Sequence, residues 1–468
     1  MPVRYTPLGR TDTIGASCHF LDIHGTGVAL DAGLDPEEDG PASTPDFRII
    51  KQEPDWYIDH VLVTHAHHDH LGGLPVLFRE FPHALAHMTP ATRKLADVLL
   101  PASARLQRRR MREGSSAYDP LFDEEDVELH SYLYLTHDPG DPFDITGLNG
   151  QTTVTAEFFD AGHILGSAGV LLTYEDEGTE RRLFYTGDTN PNAQTIIPGG
   201  TYPEPPIDTL LLESTLGADP EAEQTTRREE ERKLRDAVVR VLERGGNVVI
   251  PVFAIGRAQE ILALIDRYKQ RGDIGADVPV YTAGLQRAIS DIYDKTRTDT
   301  PRLNNDFRVY GVDQERVPRS SQGKRRGLHE PSIYVVTSGM MFEGTLSNWF
   351  AQRVVEDEDS SIILVGFSKE GSPADRLLTA AESAEEEMHV VLDELVGPQQ
   401  LRCEVQRLRF SGHGTRRDLL DIVGRLKPSR VVLVHGDADA RTWMADNLAH
   451  FYPDVEVTNS ETGKTLTL

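Results

Sequence analysis

Cysteine is nearly absent from this chain. Cys18 and Cys403 are its only cysteines, and neither lies in a spacing typical of a zinc knuckle. The sequence also lacks an apolar run long enough to cross a bilayer, and no signal-peptide pattern follows Met1. These absences argue against a disulfide-rich secreted domain and against a helical membrane protein. We therefore expect a cytoplasmic protein without a membrane partner.

Lysine is scarce as well. Only 9 of the 48 basic residues are lysine, and 75 acidic residues give a formal net charge of −27. A cytoplasm of high salt concentration favours an acidic surface with little lysine, so we predict a halophilic protein. The alternative is an ordinary acidic protein. The length of 468 residues suggests two domains.

One short stretch concentrates side chains that bind metals. Residues 65–70 read His-Ala-His-His-Asp-His, directly after an apolar segment that predicts a buried strand. His65 and His67 are two positions apart, so on an extended strand end they point the same way. Asp69 and His70 follow where the chain must turn. Imidazole suits zinc, and a carboxylate adds the charge that holds a second dication, whereas a histidine-rich surface loop is the alternative.

Three later segments each end a short apolar run with another residue of a metal-binding type. These residues are His163, Asp188 and His435. Strand ends and the loops after them are common places for functional side chains, so these residues can converge with residues 65–70. Alone, His163 or His435 would more often be a structural histidine. Their coincidence with the histidine cluster favours a site for two metals.

The order of these motifs resembles the metallo-β-lactamase fold, whose hallmark is His-x-His-x-Asp-His followed by a later His, Asp and His. More narrowly, the chain is similar to the β-CASP branch of nucleic-acid nucleases. Three further motifs of that branch match at Glu213, at His413 and at His435, the last of which DNA-processing members replace with an apolar residue. Residues 251–260 and 337–341 are similar to the subgroup of the mRNA cleavage and polyadenylation endonuclease.

The resemblance implies an α/β protein, with a metallo-β-lactamase αββα sandwich and an inserted β-CASP α/β cap domain. We expect residues 1–216 and 395–468 to form the sandwich and residues 217–394 to form the cap. Alternating strand and helix patterns independently predict parallel βαβ units in the insertion. The metals would then lie in a groove that admits a single strand.

The resemblance also implies a role for each metal-binding residue. Each of two zinc ions is expected to have three side chains of its own and to share one bridging carboxylate. One ion would take His65, His67 and His163, the other Asp69, His70 and His435, and Asp188 would bridge them. Asp31 matches the family's first motif and would support the metal loop from behind.

A proton donor for the leaving oxygen is expected at His413, because imidazole titrates near neutrality. Glu213 could orient His413 and raise its pKa. We group Asp69 with them as catalytic, because its loss would remove a ligand. The alternatives are an ordinary glutamate at a strand end and a buried polar histidine.

Contacts to RNA are harder to predict from the sequence. Arg257 stands at a predicted helix start, where a cation suits a phosphate, with a surface or interdomain salt bridge as the alternative. The loop at Ser338 and Gly339 could follow an RNA backbone. Arginine-rich runs at residues 105–112 and 319–326 are more often solvated than bound to RNA. No RRM or KH signature is present, including the KH modules of some archaeal relatives.

We therefore predict a zinc-dependent ribonuclease that hydrolyses phosphodiester bonds of single-stranded RNA in RNA processing or decay, as an endonuclease, a 5′–3′ exonuclease or both. The first alternative is a DNA-directed β-CASP nuclease, which His435 argues against. The second is a small-molecule hydrolase of the superfamily, such as a lactam or thioester hydrolase, which Glu213 and His413 argue against. A non-catalytic RNA-complex subunit is disfavoured because every ligand position is intact. The expected partner is single-stranded RNA, and a homodimer is left open.

Overall fold

The computed structural model describes most of the chain and divides it into two compact units. The described residues are 3–11, 13–317, 328, 331–383 and 388–468. The first unit comprises Met1–Ala193, Gly199–Glu223 and His413–Leu468. The second unit comprises Gln194–Pro198 and Gln224–Gly412.

The first unit contains two seven-stranded sheets. The strands of one sheet, numbered along the whole chain, are β1 (Arg4–Pro7), β2 (His19–Ile23), β3 (Thr26–Leu30), β4 (His60–Leu62), β5 (Leu85–Met88), β6 (Tyr134–Thr136) and β22 (Leu466–Thr467). They pair in the order β22-β1-β2-β3-β4-β5-β6. The pairs from β22 to β3 are antiparallel and those from β3 to β6 are parallel.

The second sheet of this unit carries the longest hairpin. Its strands are β7 (Phe143–Asp144), β8 (Val154–Asp160), β9 (Ala168–Asp176), β10 (Thr179–Tyr185), β11 (Thr209–Glu213), β20 (Arg430–Val434) and β21 (Glu456–Asn459). They pair in the order β21-β20-β11-β10-β9-β8-β7. Strands β10, β11 and β20 run parallel, so their carboxyl ends meet at one edge.

The inner faces of the two sheets form one core. Tyr5 and Leu21 of the first sheet belong to the same buried cluster as Val170 and Leu211 of the second. Each fully buried aliphatic side chain contributes about 1.5–3 kcal/mol through the hydrophobic effect. This packing of sheet on sheet is the centre of the predicted sandwich.

Helices cover the outer faces of the sheets. The α-helices of this unit are α1 (Arg48–Gln52), α2 (His68–Leu71), α3 (Leu74–Glu80), α4 (Pro90–Glu113), α5 (Glu124–His130), α11 (Arg416–Leu426) and α12 (Ala438–Phe451). Ile422 and Leu448, from α11 and α12, pack with Leu433 on the outer face of the second sheet. Phe78 of α3 stacks on Tyr134 of the first sheet, with ring centroids 5.9 Å apart. The αββα sandwich predicted from the motifs is confirmed.

The second unit is built on a parallel sheet. Its strands are β12 (Val248–Pro251), β13 (Val280–Thr282), β14 (Glu315–Arg316), β15 (Ile333–Val336), β16 (Ser361–Leu364) and β19 (Glu404–Arg407), beside a hairpin of β17 (His389–Val391) and β18 (Pro398–Gln400). The order in the sheet is β14-β13-β15-β12-β16-β19, and every pair is parallel. This is the βαβ architecture that the alternating patterns predicted.

Local sequence explains where the helices of this unit begin and end. They are α6 (Arg227–Glu243), α7 (Arg257–Arg271), α8 (Leu285–Lys295), α9 (Leu346–Val354) and α10 (Pro373–Glu382). Thr226 accepts the N–H of Glu229 while the Glu229 side chain accepts the N–H of Thr226, a capping box that starts α6. Gly245, at φ 84°, follows the end of α6 in a left-handed conformation that favours glycine.

The second unit extends further along the chain than the expected insertion of residues 217–394. Strand β19 pairs with β16, from Ser361 opposite Glu404 to Leu364 opposite Arg407. Residues 395–412 therefore lie with the inserted sheet, because they supply its edge strand.

The fold also bears on the apolar and arginine-rich segments of the sequence. Among the described residues, no helix is both long and apolar enough to span a bilayer. The arginine-rich run at residues 105–112 lies on α4, where Arg108 pairs with Glu124 and Arg109 with Glu113. The second run, residues 319–326, lies outside the described residues.

Candidate metal centre

The histidine-rich motif joins a strand end to a one-turn helix. The backbone stays extended through His67, at φ −67° and ψ 153°, and α2 begins at the next residue. The carbonyl of Asp69 accepts the N–H of Ser17 at 2.7 Å, which ties this loop to the entry of β2. A Cβ on Gly33 would lie 1.7 Å from the same carbonyl, so only glycine allows this close approach.

The structure brings all seven predicted ligand residues together within the first unit. Ligand atoms of His65, His67, His163 and Asp188 lie within 4.8 Å of one another, and so do those of Asp69, His70 and His435. These are the two groups that the resemblance implied.

Distances inside the groups are short. His163 Nε2 lies 3.0 Å from His67 Nδ1, and His70 Nε2 lies 3.2 Å from His435 Nε2. Asp188 faces both groups, with Oδ2 3.5 Å from His65 Nε2 and Oδ1 3.4 Å from His70 Nε2. One carboxylate therefore turns one oxygen toward each group, as a bridging ligand would.

Hydrogen bonds behind the cluster fix the protonated nitrogen of two histidines. Thr64 Oγ1 donates to the Asp31 carboxylate at 2.9 Å, so it accepts from Nδ1 of His65, 3.0 Å away. Asp31 Oδ2 also accepts from Nδ1 of His70 at 2.8 Å. A neutral imidazole with its proton on Nδ1 presents an unprotonated Nε2 to the cluster, as His65 does and as His70 does once its second proton is released. That lone pair is what a divalent metal binds, and the support of the metal loop by Asp31 stays a prediction.

The charges also fit a cation. Burial lowers the pKa of His65 well below its usual range and that of His67 to about 4, so both rings are neutral. Burial alone would raise the pKa of Asp188, but His435 and His70 hold it well below its usual range. Oδ1 of Asp188 is buried, and it faces His70 Nε2 at 3.4 Å and His435 Nδ1 at 3.3 Å. A buried ionised oxygen is costly unless a positive charge compensates it.

His70 shows the same preference for positive charge. Burial lowers the pKa of this imidazole, but the carboxylates of Asp188, Asp31 and Asp69 together raise it well above its usual range. Three carboxylates around one ring favour a positive charge there, which a divalent ion can supply. With imidazole and carboxylate donors, the residues present fit a zinc-type metal centre.

A glutamate–histidine pair borders the cluster. Glu213 ends β11 fully buried, and the N–H of Thr189 donates to its Oε1 at 2.7 Å. His413 Nδ1 lies 3.1 Å from both carboxylate oxygens, and the His413 ring centroid is 4.5 Å from that of His163. Burial lowers the pKa of His413, but Glu213 and then Asp188 raise it overall to about 9. The carboxylate thus orients Nδ1 and stabilises the imidazolium.

Backbone strain marks two positions of the site. Asp31 and His435 have φ values of 63° and 49°, in the left-handed region that costs a non-glycine residue about 1–2 kcal/mol. Thr215 Oγ1 lies 3.1 Å from His435 Nδ1 and helps to hold that ring. Sequence reasoning missed Thr215 and Thr64, and it missed Tyr185, whose hydroxyl donates to Asp31 Oδ2 at 3.0 Å. No sequence motif marks a single hydroxyl.

The residues proposed for RNA contact lie in the second unit, and Arg257 is not at its surface. Its side chain is 6 % exposed and donates to the carbonyl of Phe410 at 2.9 Å and to Gln194 Oε1. Burial lowers its pKa to about 10. These contacts favour a structural role within this unit over the predicted phosphate contact.

The loop at residues 337–341 lies near the carboxyl ends of the parallel strands. Gly339 lines a shallow depression together with Phe253 and Phe367. A Cβ on Gly339 would meet the Phe253 ring at 3.0 Å. The carbonyl of Ser338 accepts from Ser347 Oγ at 2.7 Å. The RNA contact of Ser338 and Gly339 stays a prediction.

The fold and the site together define the class of this protein. Residues 12–251 match the metallo-beta-lactamase superfamily, residues 258–377 the Beta-Casp domain, and residues 398–458 the Zn-dependent metallo-hydrolase RNA specificity domain. The chain therefore belongs to the metallo-β-lactamase superfamily and carries an inserted β-CASP domain. The family predicted from the motifs is confirmed.

Two relatives show which members of this class the chain is similar to. The chain is 28% identical over 472 residues to Endoribonuclease YSH1 of Kluyveromyces lactis, covering 98% of this chain and 58% of that protein. It is 30% identical over 462 residues to Transcription termination factor FttA of Methanothermobacter thermautotrophicus, covering 93% and 67%. The chain thus spans little more than half of the yeast relative.

One solved structure supports the fold alone. A protein of unknown function from Enterococcus faecalis V583 matches over 100% of both chains, with a TM-score of 0.54 and 15% identity.

Proposed function

We propose that this chain is a zinc-dependent ribonuclease that hydrolyses phosphodiester bonds of single-stranded RNA, in RNA processing or decay. The observation that carries the proposal is the convergence of two ligand groups on Asp188, with the Glu213–His413 pair beside them. Relatives named as an endoribonuclease and as a transcription termination factor, and the match to an RNA specificity domain, support RNA as the substrate.

Two zinc ions are the cofactor that this donor set would hold. His65, His67 and His163 would bind one ion, Asp69, His70 and His435 the other, and Asp188 both. When bound, such a pair supplies a hydroxide nucleophile and neutralises charge on the phosphate. Seven side chains are too many for one tetrahedral ion, which supports two.

The chain's own contribution to the reaction is a proton. His413 is not assigned as a ligand, and Glu213 holds its Nδ1 at 3.1 Å. Its Nε2 is then the nitrogen that would donate to the leaving oxygen, and the pKa of about 9 keeps the ring protonated at neutral pH. Glu213 and Thr189 N–H keep this ring in place, because the carboxylate is itself fixed at 2.7 Å.

We further propose that the protein works in a cytoplasm of high salt concentration. The support is compositional, namely the net charge of −27 and the scarcity of lysine. Screening by salt reduces repulsion among exposed carboxylates, and the acidic surface then concerns solubility and not substrate choice.

A cleavage assay tests the proposal. Zinc-loaded protein is incubated with single-stranded RNA labelled at either end, with duplex RNA and with DNA of the same sequence. We expect cleavage of single-stranded RNA, much slower cleavage of DNA and resistant duplex. The product pattern from the two labels separates endonuclease from 5′–3′ exonuclease action. Preferred cleavage of DNA, or hydrolysis of lactam or thioester substrates alone, would replace the proposal by one of its alternatives.

A further inference from the structure

A chain of buried polar side chains leads from the metal centre into the core between the two sheets of the first unit. Tyr185 Oη lies 3.0 Å from Asp31 Oδ2, and Ser17 Oγ lies 3.2 Å from Tyr185 Oη. His19 Nε2 is 3.3 Å from Ser17 Oγ, and Tyr5 Oη is 2.9 Å from His19 Nδ1. All five side chains are at most 3 % exposed. None of the roles proposed above for residues of the metal centre involves His19.

The direction of each hydrogen bond follows from the carboxylate at one end. An ionised carboxylate only accepts, so Tyr185 donates its single proton to Asp31 and must accept from Ser17. Ser17 has then used its proton and must accept from Nε2–H of His19. A neutral ring with the proton on Nε2 accepts at Nδ1 from Tyr5. Each proton of this chain therefore has one position, and every hydrogen bond is donated in the direction of Asp31.

The far end of the chain lies beside a second segment of the metal centre. The Tyr5 hydroxyl lies beside the side chain of Ser460, whose own hydroxyl donates to the carbonyl of Leu433 at 2.9 Å. Arg441 donates to the carbonyl of Ser460 at 2.9 Å and to the carbonyl of Gly436 at 3.1 Å. Gly436 directly follows the ligand-type residue His435. The residue beside Tyr5 is thus tied to the segment of His435, while the Asp31 carboxylate at the other end of the chain holds Nδ1 of His70.

Burial is consistent with the neutral ring that this chain requires. Burial, and then the charges of His70 and His435, lower the pKa of His19 to about 3. A phenylalanine at this position would fill a similar volume in the core but could neither donate nor accept. The volume of the ring and its hydrogen bonds can therefore be separated by substitution.

We propose that His19 is a positioning residue of the metal centre. Its ring is a link in a hydrogen-bond chain that runs in one direction from Tyr5 to Asp31, and this chain keeps the Asp31 carboxylate oriented toward His70. The proposal rests on the proposed function only for the ligand role of His70. Without this chain, Tyr185 would lose the donor that orients its hydroxyl, and Asp31 would be held less firmly.

The first test observes the ring itself and needs no metal. Histidine-selective ¹⁵N NMR of the zinc-free protein, with the His19 signals assigned by their loss in His19→Phe, reports the tautomer and its titration. We expect the neutral Nε2–H form from pH 5.5 to 8. An Nδ1–H form, or titration near the ordinary pKa of 6.5, would overturn the proposal, whether or not the protein proves to be a ribonuclease.

The second test measures zinc affinity by competition with a chelator. We expect His19→Phe and Tyr185→Phe each to weaken the binding of one of the two zinc ions by about 10–100-fold, as loss of an outer partner does. The double variant should bind no more weakly than the singles, because both break one chain. His19→Gln, whose amide keeps a donor and an acceptor, should restore affinity to within about threefold of wild type.

A matched control and thermal melts separate positioning from loss of core packing. Tyr174→Phe removes the hydroxyl of a buried tyrosine in the same core cluster, where the ring lies beside His24 and not Asp31. It should leave zinc affinity unchanged. Wild-type affinity in folded His19→Phe, or additive losses in the double variant, would contradict the proposal. A wild-type protein that binds no zinc would defeat the proposed function, and the tautomer would still decide the role of His19.

Discussion

Replacing Glu213 with glutamine should change the acid–base behaviour of His413 without removing an assigned ligand. Glutamine has nearly the same shape, and its amide oxygen can still accept from Nδ1 of His413. It carries no charge, however, and the negative charge of Glu213 is the foremost reason why the pKa of His413 is raised against the effect of burial. The variant therefore isolates the electrostatic part of the pair.

The size of the effect follows from the pKa of His413. An ordinary histidine titrates near 6.5, whereas His413 titrates at about 9. That difference corresponds to about 3 kcal/mol in favour of the imidazolium. In Glu213→Gln the opposing effect of burial remains, so we expect the pKa of His413 to fall by about 2 or more in the zinc-free protein.

Stability should respond with the matching sign. The folded protein binds this proton more tightly than the unfolded chain, so the pair's contribution is fully present below about pH 6.5 and is lost as the pH rises through about 9. Glu213→Gln should remove this alkaline loss. Cleavage should follow the same direction, because a general acid must be protonated, and the alkaline limb of its pH profile should move to lower pH in the variant.

The assay is an NMR titration of His413 in zinc-free wild type and variant, with urea unfolding at pH 7 and 9. Glu180→Gln is the control, because it removes an exposed carboxylate from β10 of the same unit. His413→Ala removes the proton donor altogether, and we expect it to reduce turnover by about 10²–10⁴-fold while the zinc content stays the same. A pKa of His413 that is unchanged in Glu213→Gln would refute the pairing, and near-normal turnover in His413→Ala would refute the proton donor.

Three further outcomes are expected. The melting temperature should rise with KCl from about 0.1 to 3 M, because salt screens repulsion among exposed carboxylates, and circular dichroism melts that are flat or fall with salt would reject the halophilic proposal. Acid should destabilise the protein through His87. Burial lowers the pKa of this ring to about 3, and ring nitrogens of His60 and His137 lie 3.0 Å from its own, so protonation of His87 favours the unfolded chain. The contribution of His87 to the free energy of unfolding should be complete above about pH 6.5, and the free energy of unfolding should fall by up to about 5 kcal/mol toward pH 3. If urea unfolding of a His87→Phe variant shows the same loss in acid, His87 is not its origin. Arg257→Ala should cost about 2–5 kcal/mol, because it leaves the buried carbonyl of Phe410 without its donor. If the folded variant loses about one counterion from the salt dependence of RNA binding, Arg257 also contacts phosphate, and an unchanged salt dependence would leave it a purely structural role.

The ligand residues could be found from the sequence because their pattern is local. His65 to His70 lie in six consecutive residues, and His163 and His435 each follow a recognisable strand pattern. The strands of the inserted unit were predictable for the same reason, since short apolar runs alternate with helical patterns. Features that depend on neighbouring residues in the chain are therefore visible before the fold is known.

The remaining features depend on contacts between distant parts of the chain. Arg257 donates a hydrogen bond to the carbonyl of Phe410, which is 153 residues away, and nothing near Arg257 in the sequence predicts that Arg257 is buried. Strand β19 joins the inserted sheet through pairing with β16, which no local pattern reveals. The support of Asp31 by Tyr185 likewise joins residues 154 positions apart. Single hydroxyls and edge strands have no sequence motif, so they required the structure.

The most direct test of the central claim is the rate of single-stranded RNA cleavage as zinc is added to metal-free protein. If two zinc ions on the seven side chains around Asp188 carry the reaction, the rate should rise from background to a plateau at two equivalents per chain. Asp69→Ala, which lacks one of these ligands, should not reach that plateau. Cleavage that persists without metal, a plateau at one equivalent, or no cleavage of RNA at any zinc concentration would contradict the account.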